Sequence, residues 1–495
     1  AESPLATALA AVGLPEELAA RLEVGGEPGS PEPRLPVEDV GVACIGAALL
    51  AAARLGEART GEWLAPALDR GQARASLVSE RLFRVDGEPA GAGFAPASRF
   101  WRAGDGWLRT HANFPWHREA LLRAVGVTDE EALAAAIAER SAAEVEAAVF
   151  AAGGVAAKVR TVAEWRAHPQ GAAVAAEPLV ERIRLGDAPP RCSELRHIRS
   201  EEHRKRPDDG VGVGAAALRC SISAYTTDKE HRKPAGLGPA AGVRVLDLTR
   251  VIAGPVCSRY LGALGADVLR LDSPDLPDVE PGQPADTLLG KRSAFLDFRT
   301  EAGARRLDAL LGEADVVLLG YRPGALARFG LAPEELAARH PGIVVMELAA
   351  WGHSGPWRER RGFDSIVQAA SGIAAVEAGP DDEPGALPCQ LLDHGTGYLA
   401  AAAVLTALAE QREHGGSHLR RLSLARTAQW LLGEGLSDHP SAARPAWHND
   451  GASFVSAVDG DPSLGAVPPP GSLRHTPLAW HGPAARYGTA DPAWR

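Results

Sequence analysis

Cysteine is scarce in this sequence. The 495 residues contain five cysteines, with no CxxC pair and no histidine spacing to match. A disulfide scaffold and a zinc site are therefore not expected, and the sequence predicts no bound metal. The five are Cys44, Cys192, Cys220, Cys257 and Cys389.

The sequence also lacks long apolar runs, an excess of positive charge and a leader pattern. No run of eighteen or more apolar residues is present, so no membrane-spanning helix and no membrane partner are expected. The net charge of −11 argues against nucleic-acid binding, which needs a basic surface. Residues 1–17 have no basic stretch ahead of an apolar one, unlike a signal peptide, and we expect a cytoplasmic enzyme.

Familiar catalytic motifs are missing as well. There is no P-loop, no GxSxG elbow and no HExxH helix, and no GxGxxG motif follows the apolar run 243–248. That run ends in a turn in which Gly254 allows close backbone approach and Pro255 suits a first helical turn. A helix amino terminus after a parallel strand is a weak indication of an anion site.

Residues 241–350 alternate between short apolar runs and helical patterns. A parallel pair of strands needs a crossover, which the intervening helix supplies. The alternation therefore predicts an α/β fold with a doubly wound, Rossmann-like parallel sheet. The expected strands are 243–248, 266–272, 291–298, 315–321 and 342–348, with helices ending near Leu264 and covering 300–314 and 332–340.

The rest of the chain is less regular. We expect a smaller helical and α+β unit within 1–190, a linker or insertion at 191–240 and an irregular tail at 433–495, around the sheet domain at 241–432. The mixed charge run 196–206 favours a solvated linker, with an anion-binding or regulatory insert as the alternative.

An internal repeat connects the two halves. Residues 39–61 and 393–416 each begin with Asp and a Gly two residues later, continue as an Ala/Leu-rich helix and end in a charged turn with Gly. Ala-rich helices match one another easily, but shared ancestry is the better explanation.

Several blocks in the second half resemble the class III CoA-transferases of the CaiB/BaiF type, which include formyl-CoA and carnitine CoA-transferases and α-methylacyl-CoA racemases. The resemblance is carried by GVRVLDLTRVIAGPVCSRYLGALGADVLRLD (242–272), GKRSAFLDF (290–298), GYRPGALARFGL (320–331), the segment 340–373 and LLDHGTGYLAAAAVLTAL (391–408). Segments 104–126 and 153–171 resemble later blocks of the same family, although here they come first. The chain therefore looks permuted or tandemly fused, and we expect either a homodimer or an intrachain pseudo-dimer.

The resemblance implies a nucleophilic carboxylate at Asp393. In this family an Asp attacks an acyl-CoA thioester to give an anhydride, then an aspartyl-CoA thioester that passes CoA to a carboxylic acid acceptor. Coenzyme A would be a cosubstrate, with no permanently bound cofactor. From the residues alone, Asp393 could instead cap the helix that follows it.

The resemblance also implies a set of CoA-contacting residues. Where Ile252 stands, family members often have Gln, which puts acyl-transfer efficiency or substrate type in question. Lys291 and Arg292 would suit nucleotide phosphates. The full expected set is Val251, Ile252, Ala253, Lys291, Arg292, Arg322 and Arg328.

Two alternatives remain open at this stage. A racemase would need a His where Gly362-Phe363-Asp364 has Phe, although His353 or His394 could substitute. A non-catalytic acyl-CoA-binding homologue would retain the fold without acyl exchange. Asp39 stands where the repeat would place a second catalytic Asp, and we expect it to be a structural relic.

Overall fold

The computed structural model describes residues 3–29, 33–90, 93–189, 238–379, 381–437, 447 and 451–495. The predicted linker at 191–240 lies outside the described residues except for its last three. The α-helices are α1 (Pro4–Val12), α2 (Val37–Thr60), α3 (Arg70–Ser76), α4 (Ser79–Leu82), α5 (Pro115–Val125), α6 (Leu133–Ala138), α7 (Ala142–Ala151), α8 (Val162–Ala167), α9 (Pro169–Ala176), α10 (Ala253–Ala263), α11 (Glu301–Glu313), α12 (Pro333–Arg339), α13 (Asp364–Ser371), α14 (Ile373–Val376), α15 (Leu391–His414) and α16 (Leu424–Gly433).

The strands are mostly short. They are β1 (Glu23–Gly25), β2 (Pro66–Asp69), β3 (Arg84–Val85), β4 (Glu88–Pro89), β5 (Phe100–Ala103), β6 (Gly106–Thr110), β7 (Ala156–Lys158), β8 (Glu181–Gly186), β9 (Arg244–Leu248), β10 (Asp267–Asp272), β11 (Arg292–Phe295), β12 (Val316–Leu319), β13 (Val344–Ala349), β14 (Ser417–Ser423), β15 (Ser456–Val458), β16 (Asp461–Ala466), β17 (Ser472–Leu473) and β18 (Thr476–Pro477).

A seven-stranded sheet forms the centre of the molecule, in the order β11-β10-β9-β12-β13-β14-β8. The first six strands are parallel, and β8 pairs with β14 antiparallel at the edge. In chain order the six parallel strands run 3-2-1-4-5-6, the doubly wound arrangement whose ligand crevice lies between strands 1 and 4. The predicted α/β fold is confirmed.

The apolar strands are buried on both faces. In β9, Val245 packs into one hydrophobic core while Leu246 and Leu248 pack into another on the opposite side. Successive side chains of a strand point to opposite faces, so apolar residues at successive positions require helices on both sides of the sheet.

Smaller sheets surround this centre. Strands β5, β6 and β7 form a three-stranded antiparallel sheet that packs with α5 and α7 on a separate apolar core. In the carboxy-terminal part, β15 and β16 pair with β3 and β4 of the first half, and Trp480 is buried there. Together with β8, these pairings join the amino-terminal half to the rest of the chain, while the four-part division of the chain stays a prediction.

Two long helices pack side by side through the core. Both α2 and α15 have 24 residues. A Cβ added at Gly395 would lie 3.4 Å from Cys44 Sγ near their amino termini, and Arg412 Nε donates to the Ala58 carbonyl at 2.9 Å near their carboxyl termini. The helices are therefore parallel. Both are long and apolar enough to cross a membrane by length and composition, but both are largely buried inside the protein.

Candidate active site

The turn after β9 is strained where the doubly wound sheet places its crevice. Val251 has a φ of 66°, a left-handed conformation that a β-branched side chain rarely adopts. Its backbone N–H donates to Asp278 Oδ2 at 2.8 Å, which holds the turn in place. Strained backbone of this kind concentrates at functional sites.

Helix α15 comes into close contact with this turn. A Cβ added at Gly397 would lie 2.5 Å from the Ala253 carbonyl oxygen, so the two backbones meet only because residue 397 has no side chain. Asp393 lies about one helical turn before Gly397. The structure thus brings the helix that carries the predicted nucleophile into contact with Ala253, one of the predicted turn residues.

Asp393 itself does not cap its helix. The N-cap residue, Gln390, makes no side-chain capping bond. The cap comes from Asp364 in α13, whose Oδ2 accepts the Asp393 backbone N–H at 3.0 Å. Asp393 is 5% exposed, and its carboxylate accepts no hydrogen bond from any described residue. A different carboxylate therefore performs the capping role, and that of Asp393 is left without a partner.

The surroundings of Asp393 disfavour the ionised form of its carboxyl group. Burial raises the pKa of Asp393 well above its usual value, and the charges of Asp364 and Glu80 raise it further. Burial also raises the pKa of Asp364 to about 6, although hydrogen bonds from Gln368 and the Asp393 backbone oppose this. Strongly perturbed carboxyl groups in a crevice are typical of catalytic sites.

Glu80, in the amino-terminal half, was not predicted. The His394 Nε2 donates to Glu80 Oε2 at 2.9 Å, across 314 residues of sequence. His394 is fully buried, whereas the Glu80 side chain is 14% exposed. No motif marks Glu80, so the sequence carries no signal that could have assigned it to this site.

Lys291 and Arg292 are each engaged in an ion pair. The Lys291 Nζ lies 3.1 Å from Asp247 Oδ2, and both side chains are fully buried. Burial lowers the pKa of Lys291 to about 8, although Asp247 opposes the shift. The Arg292 Nη2 donates to Asp267 Oδ1 at 2.8 Å, at the amino-terminal end of the sheet. A phosphate contact at either residue would require an ion pair to break, and their role in CoA binding stays a prediction.

Arg322 and Arg328 lie beyond β12 and are exposed. The Arg322 Nη1 donates to the Glu359 carbonyl at 3.2 Å, and its charge contributes to lowering the pKa of Arg361, after burial. Both predicted residues follow the carboxyl end of a central strand, where a phosphate-bearing ligand would enter. Their role in CoA binding stays a prediction.

The residue where a racemase would have His is covered by an aromatic stack. Phe363 stacks on His111 with ring centroids 3.7 Å apart and planes 10° apart. Burial lowers the pKa of His111 to about 3, and the charges of His117 and Arg109 add to this. His353, the other candidate base, places Nε2 3.2 Å from the Leu422 carbonyl oxygen, which gives it a structural contact.

Asp39, the repeat counterpart of Asp393, lies in a different setting. Its side chain is 54% exposed and its Oδ1 accepts from Arg70 Nη1 at 3.0 Å. In the part of the chain that the structure describes, no group of three His, Cys, Asp or Glu residues could hold a metal ion.

Comparison with known proteins finds similarity over part of the chain. Residues 240–457 match the model of CoA-transferase family III. A probable fatty acyl-CoA transferase of Mycobacterium tuberculosis is 34% identical over 217 residues, covering 41% of this chain and 55% of that protein. A formyl-CoA:oxalate CoA-transferase of Streptomyces avermitilis is 35% identical over 185 residues, covering 35% and 45%. A solved CaiB/BaiF family protein of Brucella suis is 31% identical, with a TM-score of 0.37 over 40% of this chain and 56% of that one.

The chain spans about half the length of these relatives. The matched region holds the parallel sheet, the strained turn at Val251 and the unpartnered carboxylate of Asp393, while the permuted or tandem order of the whole chain stays a prediction. Over residues 240–457, the chain is similar to CoA-transferase family III.

Proposed function

We propose that this protein transfers CoA from an acyl-CoA donor to a carboxylic acid acceptor, with Asp393 as the nucleophile. The observation that carries the proposal is the buried carboxylate of Asp393, which accepts no hydrogen bond from any described residue and lies beside the strained turn. A carboxylate that neither caps the helix nor forms an ion pair is available to attack the thioester. Its raised pKa makes the ionised form more basic and so a stronger nucleophile.

Each step of the transfer is an exchange at an activated carbonyl. An Asp393 oxygen attacks the thioester carbon, the C–S bond breaks, and an acyl-aspartyl anhydride forms with release of CoA thiolate. The thiolate then attacks the aspartyl carbonyl, which gives an aspartyl-CoA thioester and frees the donor carboxylate. The acceptor carboxylate attacks this thioester, and the thiolate released finally attacks the acceptor carbonyl to yield the new acyl-CoA and Asp393.

The surroundings of Asp393 suit these steps. Its place in the first turn of α15 puts it at the positive end of the helix dipole, which favours the anionic attacking form. Burial of the site limits hydrolysis of the anhydride by water. Ile252 offers no side-chain donor to the reacting carbonyl, so backbone N–H groups at the start of α10 are the available donors on that side.

The names of similar proteins indicate only a broad class of substrate. Proteins similar to this chain are named as transferases acting on fatty acyl-CoA, acetyl-CoA and formyl-CoA. We therefore propose an acyl-CoA donor and a monocarboxylic or dicarboxylic acceptor. The parallel pair α2 and α15 supports an intrachain pseudo-dimer, which sedimentation of the full chain as a monomer would bear out and a stable dimer would contradict.

The test is direct transfer by the full chain. Purified protein is incubated with a panel of acyl-CoA donors and carboxylic acids, and new acyl-CoA species are measured by mass spectrometry. We expect transfer with at least one pair and none with Asp393→Asn. Binding of CoA thioesters without exchange would contradict the proposal and favour a binding protein, and solvent deuterium at the α-carbon without transfer would favour a racemase.

A further inference from the structure

The strained turn at Val251 is fixed by residues that the proposed mechanism leaves unused. Asp278, in the loop after β10, has a side chain that is 6% exposed, and its Oδ2 accepts the Val251 backbone N–H at 2.8 Å. The Asp278 backbone N–H in turn donates to the Tyr487 hydroxyl oxygen at 3.0 Å. Tyr487 belongs to the carboxy-terminal segment, residues 458–495, which lies outside the region matched by the family model. Two hydrogen bonds therefore connect this segment to the turn.

Arg270 holds the carboxylate of Asp278 in place. Its side chain is fully buried, and its Nη2 donates to Asp278 Oδ2 at 3.0 Å while its Nε donates to Asp272 Oδ2 at 2.7 Å. Although burial raises it, the pKa of Asp278 is lowered overall by the charges of Arg270 and Arg250. The hydrogen bond from Val251 lowers it further. The acceptor for the Val251 N–H is therefore an anion, and hydrogen bonds to an ionised acceptor are the stronger ones.

Tyr487 is fixed on several sides. It is fully buried, and its ring packs edge-on against Phe295 of β11 with ring centroids 5.2 Å apart. Its backbone N–H donates to the Gln283 carbonyl at 3.0 Å, and its carbonyl accepts the Gly282 N–H at 2.9 Å. The guanidinium carbon of Arg270 lies 5.3 Å from the ring centroid. The hydroxyl group is therefore held at a fixed point beside the loop that carries Asp278.

We propose that Asp278 and Tyr487 are positioning residues, which hold Val251 in its left-handed conformation and so direct the first backbone N–H groups of α10 towards the reacting carbonyl. The inference rests on the proposed function, in which those N–H groups are the available donors. It assigns a part in the reaction site to the carboxy-terminal segment. Neither residue is assigned a contact with the substrate.

The geometry of the turn explains why such a hold is required. A β-branched residue at a φ of 66° is under steric strain, so the backbone of Val251 would relax towards negative φ if nothing opposed it. Ile252 follows as the N-cap of α10, and Ala253 is the first residue of the helix. The first four N–H groups of a helix have no intrahelical partner, so they are free to serve a ligand. A rotation at Val251 would turn these donors away from their position beside α15.

The sharpest test combines Asp278 with the residue that it holds. Asp278→Ala removes the acceptor and should lower kcat by about 10²-fold, the effect of losing an oxyanion donor, while the KM for acyl-CoA changes much less. In Val251→Gly the backbone reaches the same φ without strain, so the further change Asp278→Ala should lower kcat by less than about fivefold. Asp278→Asn keeps an oxygen acceptor for the N–H and should retain most of the kcat that Asp278→Ala loses. An equal loss from Asp278→Ala in the two backgrounds would show a structural role only, and the proposal would be wrong.

A second pair of variants tests the carboxy-terminal segment. Tyr487→Phe keeps the ring, removes only the hydroxyl that accepts the Asp278 N–H, and should lower kcat by about three- to tenfold. The control is Trp494→Phe in the same segment, where the indole Nε1 donates to the Leu310 carbonyl of α11 at 3.1 Å. It removes a comparable hydrogen bond and should leave kcat unchanged. A normal kcat in Tyr487→Phe, or an equal loss in the control, would contradict the role of the segment.

The last measurement does not depend on transferase activity. Hydrogen exchange of backbone amides, resolved to single residues by mass spectrometry, reports on the Val251 N–H directly. We expect exchange at Val251 to accelerate by about tenfold or more in Asp278→Ala and by less in Tyr487→Phe, with the amides of β12 unchanged. Unchanged exchange at Val251 in either variant would overturn the proposal even if transfer were observed. Faster exchange at Val251 in both variants of a protein that shows no transfer would overturn the proposed function while leaving the hold on the turn in place.

Discussion

Helices α2 and α15 present the same sequence pattern in two different environments. Each has 24 residues, and each carries an Asp at its third position, Asp39 or Asp393. Asp39 is half-exposed and ion-paired with Arg70, whereas Asp393 is buried and accepts no hydrogen bond from the described residues. The surroundings of the helix amino terminus, and not the sequence pattern of the helix, therefore decide which carboxylate could act as a nucleophile.

The difference has a structural cause at the amino terminus of each helix. Beside α15, Asp364 takes the capping role, and Gly397, one helical turn further on, contacts the Ala253 carbonyl. Beside α2, the following helix α3 begins with Arg70, which neutralises Asp39 and the neighbouring Glu38. One acid is thus exposed and ion-paired, and the other is held in a position unfavourable to charge.

The largest expected difference between the two helices appears when the Asp of each is replaced by Asn. Asp393→Asn removes the nucleophile and should lower the rate of CoA transfer by about 10³-fold or more. Asp39→Asn should leave the rate within about twofold of the wild type, since surface ion pairs contribute little. Initial rates of new acyl-CoA formation, measured for both variants, check this. Equal losses in the two variants would remove the distinction between the helices.

The next effect concerns the close contact of α15 with the turn. At the position that corresponds to Gly397, α2 carries Ala43, four residues after its Asp. Gly397→Ala would place a methyl group 2.5 Å from the Ala253 carbonyl oxygen and displace the helix from the turn. We expect a loss of about 10²-fold in kcat, because a displacement of about 1 Å can have that effect.

The matched control for this change is Ala43→Gly in α2. It should cost about 1 kcal/mol of stability through helix propensity and leave kcat unchanged. Steady-state kinetics and urea unfolding of the two variants provide the measurement. A normal kcat in Gly397→Ala would show that the contact between α15 and the turn does not position Asp393.

A smaller effect should appear in stability, with the opposite sign to activity. Because the pKa of Asp393 is raised in the folded protein, ionisation of this group opposes folding at pH 7.5. Asp393→Asn should therefore unfold at higher urea, with a gain of about 1 kcal/mol or more. As pH falls towards the unfolded pKa of an Asp, the wild type takes up the proton and the gain should disappear. Destabilisation by Asp393→Asn at pH 7.5 would contradict the account of an unpartnered carboxylate.

The smallest effect is expected when the ion pair of Asp39 with Arg70 is removed. Arg70→Gln removes the partner of Asp39 and Glu38 and should lower the free energy of unfolding by less than about 1 kcal/mol, because the Asp39 pair is partly exposed. Transfer rates should not change. A large loss of activity in this variant would indicate that the α2 end is part of the reaction site.

Much of the fold could be predicted from the sequence, and the reasons are local. The predicted strands are rich in apolar residues and most are separated by a helical pattern, which together indicate a parallel sheet. Asp393 was identified through the family resemblance. The contact of Glu80 with the neighbouring His394 could not be predicted, because it joins segments 314 residues apart and α4 is only four residues long.

The position of Lys291 illustrates a second limit of prediction from the sequence. A Lys-Arg pair favours a surface site for phosphate, but Asp247 lies in the middle of the buried strand β9 and requires a cation inside the protein. Lys291 supplies that cation. The polar residue within the apolar run was the available signal, and it outweighs the surface preference of Lys because an unpaired buried carboxylate would be more costly.

The most direct test of the central claim is to trap the intermediate on the wild-type protein. The full chain is incubated with acyl-CoA and hydroxylamine, which converts an activated aspartyl group to a hydroxamate, and the modified peptide is mapped by mass spectrometry. We predict an acyl-CoA-dependent hydroxamate at Asp393 and none at Asp39. A hydroxamate at Asp39, or no adduct despite measurable acyl-CoA binding, would contradict the account.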